Sequence, residues 1–281
     1  MESTFHRAGP RPLKSDHMQT QELTRSQADP RATTQRRCAS AVVNLGIVCP
    51  MANESETAVE FVTTLLSKCD EYDFGSVTLF VVLDGKSTDG TRELLLSLAE
   101  REPQLSVVWA PENRCAVDAY VRGYREAIAA ECDWVLEIDG GYSHQPDDLP
   151  AFFEKMGEGY DCVFGSRFCE GGRISETSWK RKLLSGGGTV LANLLLGTRL
   201  RDMTSGYQLF SRPALEKVLA RGIRSRGHFF QTEMKAYCRN LAIAEVPIHY
   251  RSASASVNRA VVKDALVNLW RLFRLRLTGH L

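Results

Sequence analysis

Two acidic turns each follow an apolar run that is typical of a buried strand. Asp84-Gly-Lys-Ser-Thr-Asp-Gly-Thr91 follows Val77–Leu83, and Asp139-Gly140-Gly141 follows Trp134–Ile138. An acid at the first turn can accept hydrogen bonds from a ribose or a base, although the same residues could simply cap a helix. The carboxylate of the second turn could hold Mg²⁺ or Mn²⁺ on a diphosphate, and its glycines let a ligand approach the backbone. A plain acidic turn is the alternative there.

Three arginines in the second half of the chain could supply positive charge. Arg167 follows Phe164-Gly-Ser, and Arg181 and Arg251 come later. Guanidinium groups pair bidentately with phosphate oxygens, so converging arginines would suit a diphosphate or a phosphate monoester. Taken singly, each arginine is more typical of a solvated surface charge. His144, taken alone, is more typical of a local hydrogen-bonding group than of a ligand.

The elements that must position these residues alternate between strands and helices. The predicted strands are Ala41–Cys49, Val77–Leu83, Leu105–Trp109, Trp134–Ile138, Asp161–Phe164 and Ala242–Tyr250, with a loop over Phe168–Trp179 and helices near 54–69, 91–101, 115–130, 147–156, 181–196 and 260–277. This alternation predicts an α/β fold with a mostly parallel central sheet and helices on both faces. Pro50, Asp84 and Asp139 then lie at carboxyl ends of strands, where such sheets bind ligands.

Composition excludes several classes of protein. The 281 residues are 43% hydrophobic and 25% charged, with a net charge of +1, which fits a globular protein and gives no global basic excess for binding nucleic acid. Apolar runs are too short for a membrane span. Eight cysteines without a CxxC pair indicate a reducing, cytoplasmic protein without structural zinc. Residues 1–40 hold hardly any apolar side chain, so we expect a disordered tail before a domain over 41–257.

Five short motifs occur in a characteristic order. They are Pro50-Met-Ala-Asn-Glu54, Asp84–Thr91, Asp139–Pro146, Gly165-Ser-Arg-Phe168 and Asp202-Met-Thr-Ser-Gly206. The series resembles the inverting GT-A glycosyltransferases of family 2, most closely the dolichyl-phosphate mannosyltransferase-like branch of polyprenyl-phosphate glycosyltransferases. The resemblance covers residues 43–257, and later matches make it specific, namely Arg181, Ser185, Asn193, Phe230–Glu233, Glu245–Ile248 and Arg251. It implies the GT-A, Rossmann-like nucleotide-diphospho-sugar transferase fold.

The resemblance also implies roles for individual residues. The nucleotide-sugar site would comprise Pro50, Ala52, Glu54, Asp84, Asp139, Gly140, Gly141, Arg167 and Arg251. Asp139 would hold Mg²⁺ or Mn²⁺, and together with Arg167 it would neutralise the charge that grows on the leaving phosphate. Arg181 and Ser185 correspond to residues that position the phosphate of the acceptor, and Arg251 to a cation on a loop over the donor.

The sequence departs from the family pattern at three positions. Gly141 stands where the second metal-binding acid is usual, Gly85 replaces a second Asp after Asp84, and Val257 replaces a Lys next to the retained Ser256. A site with one carboxylate would bind Mg²⁺ weakly, with water or donor phosphate filling the other positions. The departures therefore predict a weakened metal site and leave a metal-independent reaction open.

The predicted reaction is transfer of a sugar, with inversion, from a nucleotide-diphosphate donor to a polyprenyl phosphate, whose oxyanion needs no base. An alcohol acceptor such as another sugar would need a general base, and Glu233 is the candidate by motif position. The third hypothesis is a non-catalytic protein that binds nucleotide sugars.

The chain ends in a basic, amphipathic segment over 258–281. Trp270, Leu272, Phe273 and Leu277 could insert into a membrane surface, while Lys263, Arg271, Arg274 and Arg276 meet anionic head groups. We therefore expect a cytoplasmic protein at the inner face of a membrane. The alternative is a terminal helix packed on the domain with a basic outer face.

Overall fold

Seven strands form one central sheet within the described residues. The computed structural model describes residues 42–175, 179–251 and 259–281, so the tail predicted over 1–40 lies outside it. The strands are β1 (Asn44–Met51), β2 (Ser76–Leu83), β3 (Leu105–Trp109), β4 (Trp134–Glu137), β5 (Cys162–Ser166), β7 (Gln208–Ser211) and β8 (Ile243–Pro247). Their order is β3-β2-β1-β4-β7-β5-β8, and only β7 runs antiparallel to its neighbours. The predicted mostly parallel sheet is confirmed.

Helices cover both faces of this sheet, as predicted. They are α1 (Ala58–Cys69), α2 (Thr91–Ala99), α3 (Ala116–Ala129), α4 (Leu149–Met156), α5 (Trp179–Leu196), α6 (Arg212–Ala220), α7 (Phe229–Tyr237) and α8 (Arg259–Leu277). One core lies beneath α1, α2 and α4, and a second core lies beneath α3, α5, α6, α7 and α8. β1 and β2 are almost continuously apolar because strands of a parallel sheet are buried on both faces.

α3 lies close against the sheet at Gly123. A Cβ added there would lie 2.3 Å from Cγ1 of Val48 and 3.2 Å from Cγ2 of Val82. The absence of a side chain therefore lets α3 lie directly against β1 and β2. This contact sets the height of α3 above the carboxyl end of β4.

The second half of the fold differs from the prediction in detail. The strand predicted over Ala242–Tyr250 is two strands, because the chain turns away from β5 after Pro247 and β9 (His249–Arg251) pairs with β6 (Arg173–Ser175) instead. β6 itself lies in the segment predicted as a loop, and β7, α6 and α7 were absent from the prediction. The small β6–β9 sheet lies beside the turn that follows β4, through a bridge between His144 and Tyr250.

The contact at Gly123 yields a prediction about stability. Gly123→Ala should lower the free energy of unfolding by about 1–3 kcal/mol, because the added methyl group overpacks the interface with β1. The higher helix propensity of alanine is a smaller, opposite effect. Urea denaturation measures the change. Gly186→Ala on α5 is the matched control, because among the described residues no neighbouring atom lies within 4 Å of its Cβ position. Equal stability of Gly123→Ala and the wild-type protein would contradict the packing argument.

Candidate functional site

The loops after β1 and β2 are bound together into one wall. The side-chain amide of Asn53 donates to the carbonyl of Lys86 at 2.9 Å, and its oxygen accepts from the backbone N–H of Thr88 at 3.0 Å. The backbone N–H of Ser55 donates to Oδ2 of Asp89 at 2.9 Å. Asn53 has a φ of 57°, a left-handed conformation that asparagine tolerates. These cross-loop bonds hold the two loops in one relative position.

This wall brings together the predicted nucleotide-binding residues of the first half. Pro50 and Asp84 lie at the carboxyl ends of adjacent parallel strands, and Ala52 is exposed in the turn after β1. Asp84 is almost buried, and its Oδ1 accepts the backbone N–H of Lys86 at 2.9 Å. The carboxylate therefore both closes its own turn and lies at the edge where a ribose or base would bind.

Asp139 lies on the same edge of the sheet, after β4. Its side chain is about one-third exposed, and Oδ1 accepts a hydrogen bond from the Tyr120 hydroxyl of α3. Its backbone N–H donates to Nδ1 of His144 at 3.0 Å. His144 is buried between the rings of Tyr207 and Tyr250, and this burial lowers its pKa. A neutral imidazole that accepts a backbone hydrogen bond fixes the turn, so the 3.6 Å approach of Nδ1 to the Asp139 carboxylate is not an ion pair.

A second carboxyl group of β4 was missed by the sequence reasoning. Glu137 is fully buried, and its Oε2 accepts from the Tyr124 hydroxyl and, at 3.2 Å, from Nε2 of Gln208. Burial raises the pKa of Glu137 to about 8, so the group is protonated at neutral pH. The spacing of two tyrosines and two acids in the sequence could have predicted this contact. Tyr120 and Tyr124 are one helical turn apart, and Glu137 and Asp139 are two residues apart, so each pair shares a face.

Arg167 and Ser185 lie together around a buried acid. Nε and Nη2 of Arg167 donate to the two carboxylate oxygens of Asp202 at 2.7 and 2.8 Å. Nη2 also donates to Oγ of Ser185 at 3.0 Å and to Oγ1 of Thr204 at 2.5 Å. Burial alone would raise the pKa of Asp202, but the hydrogen bonds and charge of Arg167 lower it to about 2. Much of the positive charge of Arg167 is therefore already neutralised by the protein.

A buried lysine lies behind this pair and was not predicted. Lys235 of α7 is fully buried, and its ammonium donates to the backbone carbonyl of Asp202 at 2.7 Å. Burial lowers the pKa of Lys235 to about 8. The backbone N–H of Asp202 in turn donates to Oε1 of Glu245 at 3.0 Å. Asp202 is thus held from β5, α7 and β8 together.

Glu233, the candidate base, lies in a different environment. It is fully buried on α7, where it accepts hydrogen bonds from the backbone N–H groups of Arg224 and Ser225, from the Tyr237 hydroxyl and from Nη2 of Arg271 on α8. A carboxylate that accepts hydrogen bonds from four donors has a structural role, here in joining α7 to α8 and to the segment before it. The structure therefore does not place Glu233 as a base that faces an acceptor.

The remaining two arginines are placed only in part. Arg251 lies in β9, and its backbone N–H donates to the carbonyl of Ser143 at 2.9 Å, so its strand borders the turn after Asp139. The following residues, 252–258, lie outside the described residues. Arg181 lies in α5 one turn before Ser185, and its side chain is likewise outside the described part.

A divalent cation at Asp139 would need ligands from more than one loop. In the ranges that the structure describes, no group of three or more His, Cys, Asp or Glu side chains is placed to hold a metal ion. However, a Cβ added at Gly141 would lie 2.7 and 3.0 Å from the two carboxylate oxygens of Glu54. Carboxylate oxygens suit Mg²⁺ and Mn²⁺, which usually take further ligands from substrate phosphates and water. The residues present fit a cation that binds together with a diphosphate.

The raised pKa of Glu137 makes stability depend on pH in a defined direction. Its pKa of about 8 in the folded protein exceeds the ordinary value of 4.5, so folding favours the protonated form, and this contribution is lost as the pH rises through about 8. Glu137→Gln cannot ionise. Relative to the wild type it should therefore gain stability between about pH 5 and 8, by up to about 1.4 kcal/mol per pH unit.

Urea denaturation across this range measures the difference. Glu93→Gln on the exposed face of α2 serves as the control and should show a difference that does not change with pH. A constant difference between Glu137→Gln and the wild type would show that Glu137 is ionised in the folded protein.

Comparisons with known proteins agree with this fold. Residues 46–219 match the family model for glycosyl transferase family 2. The chain is 30% identical to an undecaprenyl-phosphate mannosyltransferase of Micrococcus luteus, over 68% of this chain and 80% of that protein. It is 28% identical to a polyprenol monophosphomannose synthase of Mycolicibacterium smegmatis, over 76% of this chain and 79% of that protein.

A solved structure with the same fold contains a nucleotide and a metal. Glucosyl-3-phosphoglycerate synthase from Mycobacterium tuberculosis, in complex with Mg²⁺ and uridine diphosphate, superposes with a TM-score of 0.57 at 21% identity, over 83% of this chain and 80% of that chain. At this identity the likeness concerns the fold. With the family match over most of the folded residues, the chain belongs to glycosyl transferase family 2 and is a glycosyltransferase.

Proposed function

We propose that the chain transfers a sugar from a nucleotide-diphosphate sugar to a polyprenyl phosphate, with inversion at the anomeric carbon. Both relatives described above are named for a polyprenyl carrier and mannose, which supports this acceptor class and makes activated mannose the first donor to test. The observation that carries the proposal is the environment of Glu233. Its four hydrogen-bond donors leave no role as a base, and a phosphate oxyanion is an acceptor that needs none.

In this proposal the donor lies along the carboxyl edge of β1, β2 and β4. The nucleoside contacts the wall that carries Pro50, Ala52 and Asp84, and the diphosphate reaches Asp139 past Gly140 and Gly141. A side chain at Gly140 would crowd Met51, since a Cβ there would lie 3.0 Å from Cγ of Met51, so the lack of a side chain lets this turn pack closely on the end of β1.

Charge on the leaving diphosphate is stabilised from two sides. Asp139, oriented by Tyr120, would hold Mg²⁺ or Mn²⁺, and a bound cation supplies Lewis-acid stabilisation of the leaving group. Arg251 borders the same turn and would add positive charge over the donor. Arg167 would add little net positive charge to the leaving group, because its Nε and Nη2 atoms are paired with Asp202. Its main contribution would be to position Ser185, to which Nη2 also donates.

The acceptor phosphate binds at the start of α5. Ser185 is held by Thr204 at 2.6 Å and by Arg167, so its hydroxyl is fixed in place. Arg181 lies one helical turn earlier on the same helix, and side chains four residues apart share a helix face. A phosphate monoester between them would present its oxyanion to the anomeric carbon.

This function is tested by product analysis with purified protein. Incubation with nucleotide-activated mannose and other nucleotide sugars should give a lipid-soluble glycosyl product with undecaprenyl phosphate and none with soluble alcohols. In the same assay, Arg181→Ala should raise the KM for the lipid about tenfold or more, because it removes a charge-assisted contact to phosphate. Lys217→Ala on exposed α6 is the charge-matched control. Products formed only with alcohols would overturn the acceptor class.

Attachment to the inner face of a membrane through α8 is the second part of the proposal. Among the described residues, no helix is long and apolar enough to cross a bilayer. The outer face of α8 exposes a stripe of large apolar side chains, namely Val262, Leu266, Val267, Trp270 and Leu277. Such a stripe flanked by cations is typical of a helix that lies in a membrane interface.

The inner face of α8 corrects part of the sequence prediction. Leu272, expected to insert into lipid, is fully buried in the core beneath α8, and Phe273 is half-buried. Arg271 binds Glu233, and Arg276 donates to the carbonyls of Leu194 and Leu195 at the end of α5. Helical periodicity turns these residues toward the domain, so Trp270 and Leu277 remain as insertion residues, with Lys263 and Arg274 as exposed cations.

Membrane attachment is tested on the outer face alone. Val267→Glu with Trp270→Glu should abolish sedimentation with liposomes that contain anionic lipid at low salt, because two charges would enter the interface. Leu94→Glu and Leu96→Glu on exposed α2 form the matched control pair. Wild-type binding should weaken as salt screens the head groups. Failure of the wild-type protein to sediment at low salt would refute attachment.

A further inference from the structure

We propose that Glu54 supplies the second carboxylate of the metal–diphosphate site at Asp139, replacing the acid that the sequence lacks at Gly141. The inference rests on the proposed function, because the cation would bind with the donor diphosphate. It assigns to Glu54 a direct contact with the cation rather than with the nucleoside. Asp139 alone would give the weak site expected from the sequence.

The first line of support is the space around Gly141. A side chain at this position would begin 2.7 and 3.0 Å from the carboxylate oxygens of Glu54, closer than real Cβ atoms come to such neighbours. The Glu54 carboxylate therefore lies where the side chain of a second acid at residue 141 would start. Gly141 also has a φ of 67°, which turns the backbone aside without the strain that most side chains would cause.

The second line of support is that both partners are fixed by their own loops. The backbone N–H of Glu54 donates to Oγ1 of Thr91 at 2.9 Å, and its carbonyl accepts the N–H of Ala58 at 2.7 Å at the start of α1. On the other side, Tyr142 packs edge-on against Phe61 of α1, with ring centroids 5.1 Å apart. The turn after Asp139 is thus docked on the helix that Glu54 precedes.

The negative charges of Asp139 and Glu54, which belong to different loops, both act on one buried residue of β1. Cys49 is buried in β1 beneath the site, and its thiol pKa is raised by burial and then by the negative charges of Asp139 and Glu54. A divalent ion bound by both carboxylates would be stabilised by both negative charges. Thr57 donates to Oε2 of Glu54 at 3.1 Å, which orients that oxygen.

Two carboxylates do not complete a site by themselves. Mg²⁺ prefers six oxygen ligands and keeps several from phosphate and water, so the arrangement predicts weak binding of the ion alone and stronger binding with a nucleoside diphosphate.

The experiment compares nucleotide affinity with and without metal. Calorimetry with uridine diphosphate and guanosine diphosphate gives Kd in Mn²⁺ and in EDTA, and electron paramagnetic resonance counts bound Mn²⁺. For the tighter nucleotide, Glu54→Gln should lower the ratio of the Kd in EDTA to the Kd in Mn²⁺ at least tenfold relative to the wild type. Glu56→Gln, two residues along and exposed, should behave as the wild type.

A charge-relocation variant provides the second arm. The double variant Glu54→Ala with Gly141→Asp returns the acid to residue 141 and removes the oxygens that would clash with it, so it should recover Mn²⁺ binding that Glu54→Gln loses. Circular dichroism checks that each variant is folded. An unchanged Mn²⁺ effect in Glu54→Gln, or an equal loss in EDTA, would overturn the role of Glu54 while nucleotide binding keeps the proposed function intact. A wild-type protein that binds neither nucleotide would overturn both.

Discussion

The second half of the fold is organised around one buried ion pair, Arg167 with Asp202. Asp202 is fully buried, and it is compatible with the interior only because Arg167 pairs with it bidentately while Glu245 and Lys235 bind its backbone. Removing one partner of such a pair typically costs about 3–5 kcal/mol, since the other charge is left buried. The end of β5, the start of α5, α7 and β8 are therefore positioned together, and Ser185 takes its place as part of that arrangement.

The first half places two acidic residues close together, Glu137 at the end of β4 and Asp139 just after it. Glu137 and Asp139 share a face, and two negative charges so close would repel the donor phosphates as well as one another. Burial keeps Glu137 protonated, and Tyr124 binds it, whereas Asp139 remains partly exposed and bound by Tyr120. One helix thus fixes both carboxyl groups, and only the outer one carries charge toward the ligand.

The sheet before residue 140 could be predicted because β1, β2, β3 and β4 are local apolar runs whose carboxyl ends coincide in a parallel sheet. β7, α6 and α7 were missed because a four-residue antiparallel strand carries little periodic signal, and the side-chain amide of its polar Gln208 donates to Glu137 and Gln231, which are distant in the sequence. Arg167 and Asp202 are 35 residues apart, so no local pattern joins them. The contacts of Glu233 were equally hidden from the sequence, since one of its partners, Arg271, belongs to the last helix.

The two faces of α8 determine whether another helix could replace it. A helix that only held a protein to a bilayer could be exchanged for any other anchor of similar affinity. Here the inner face supplies the cation for Glu233 and caps the last carbonyls of α5 through Arg276, where a positive charge also complements the helix dipole. If α8 were fused to another protein, only its apolar stripe would keep its role. If α8 were replaced in this protein, the buried carboxylate of Glu233 would lose its cation. In this protein one helix carries both the exposed apolar stripe and the contacts that complete the core.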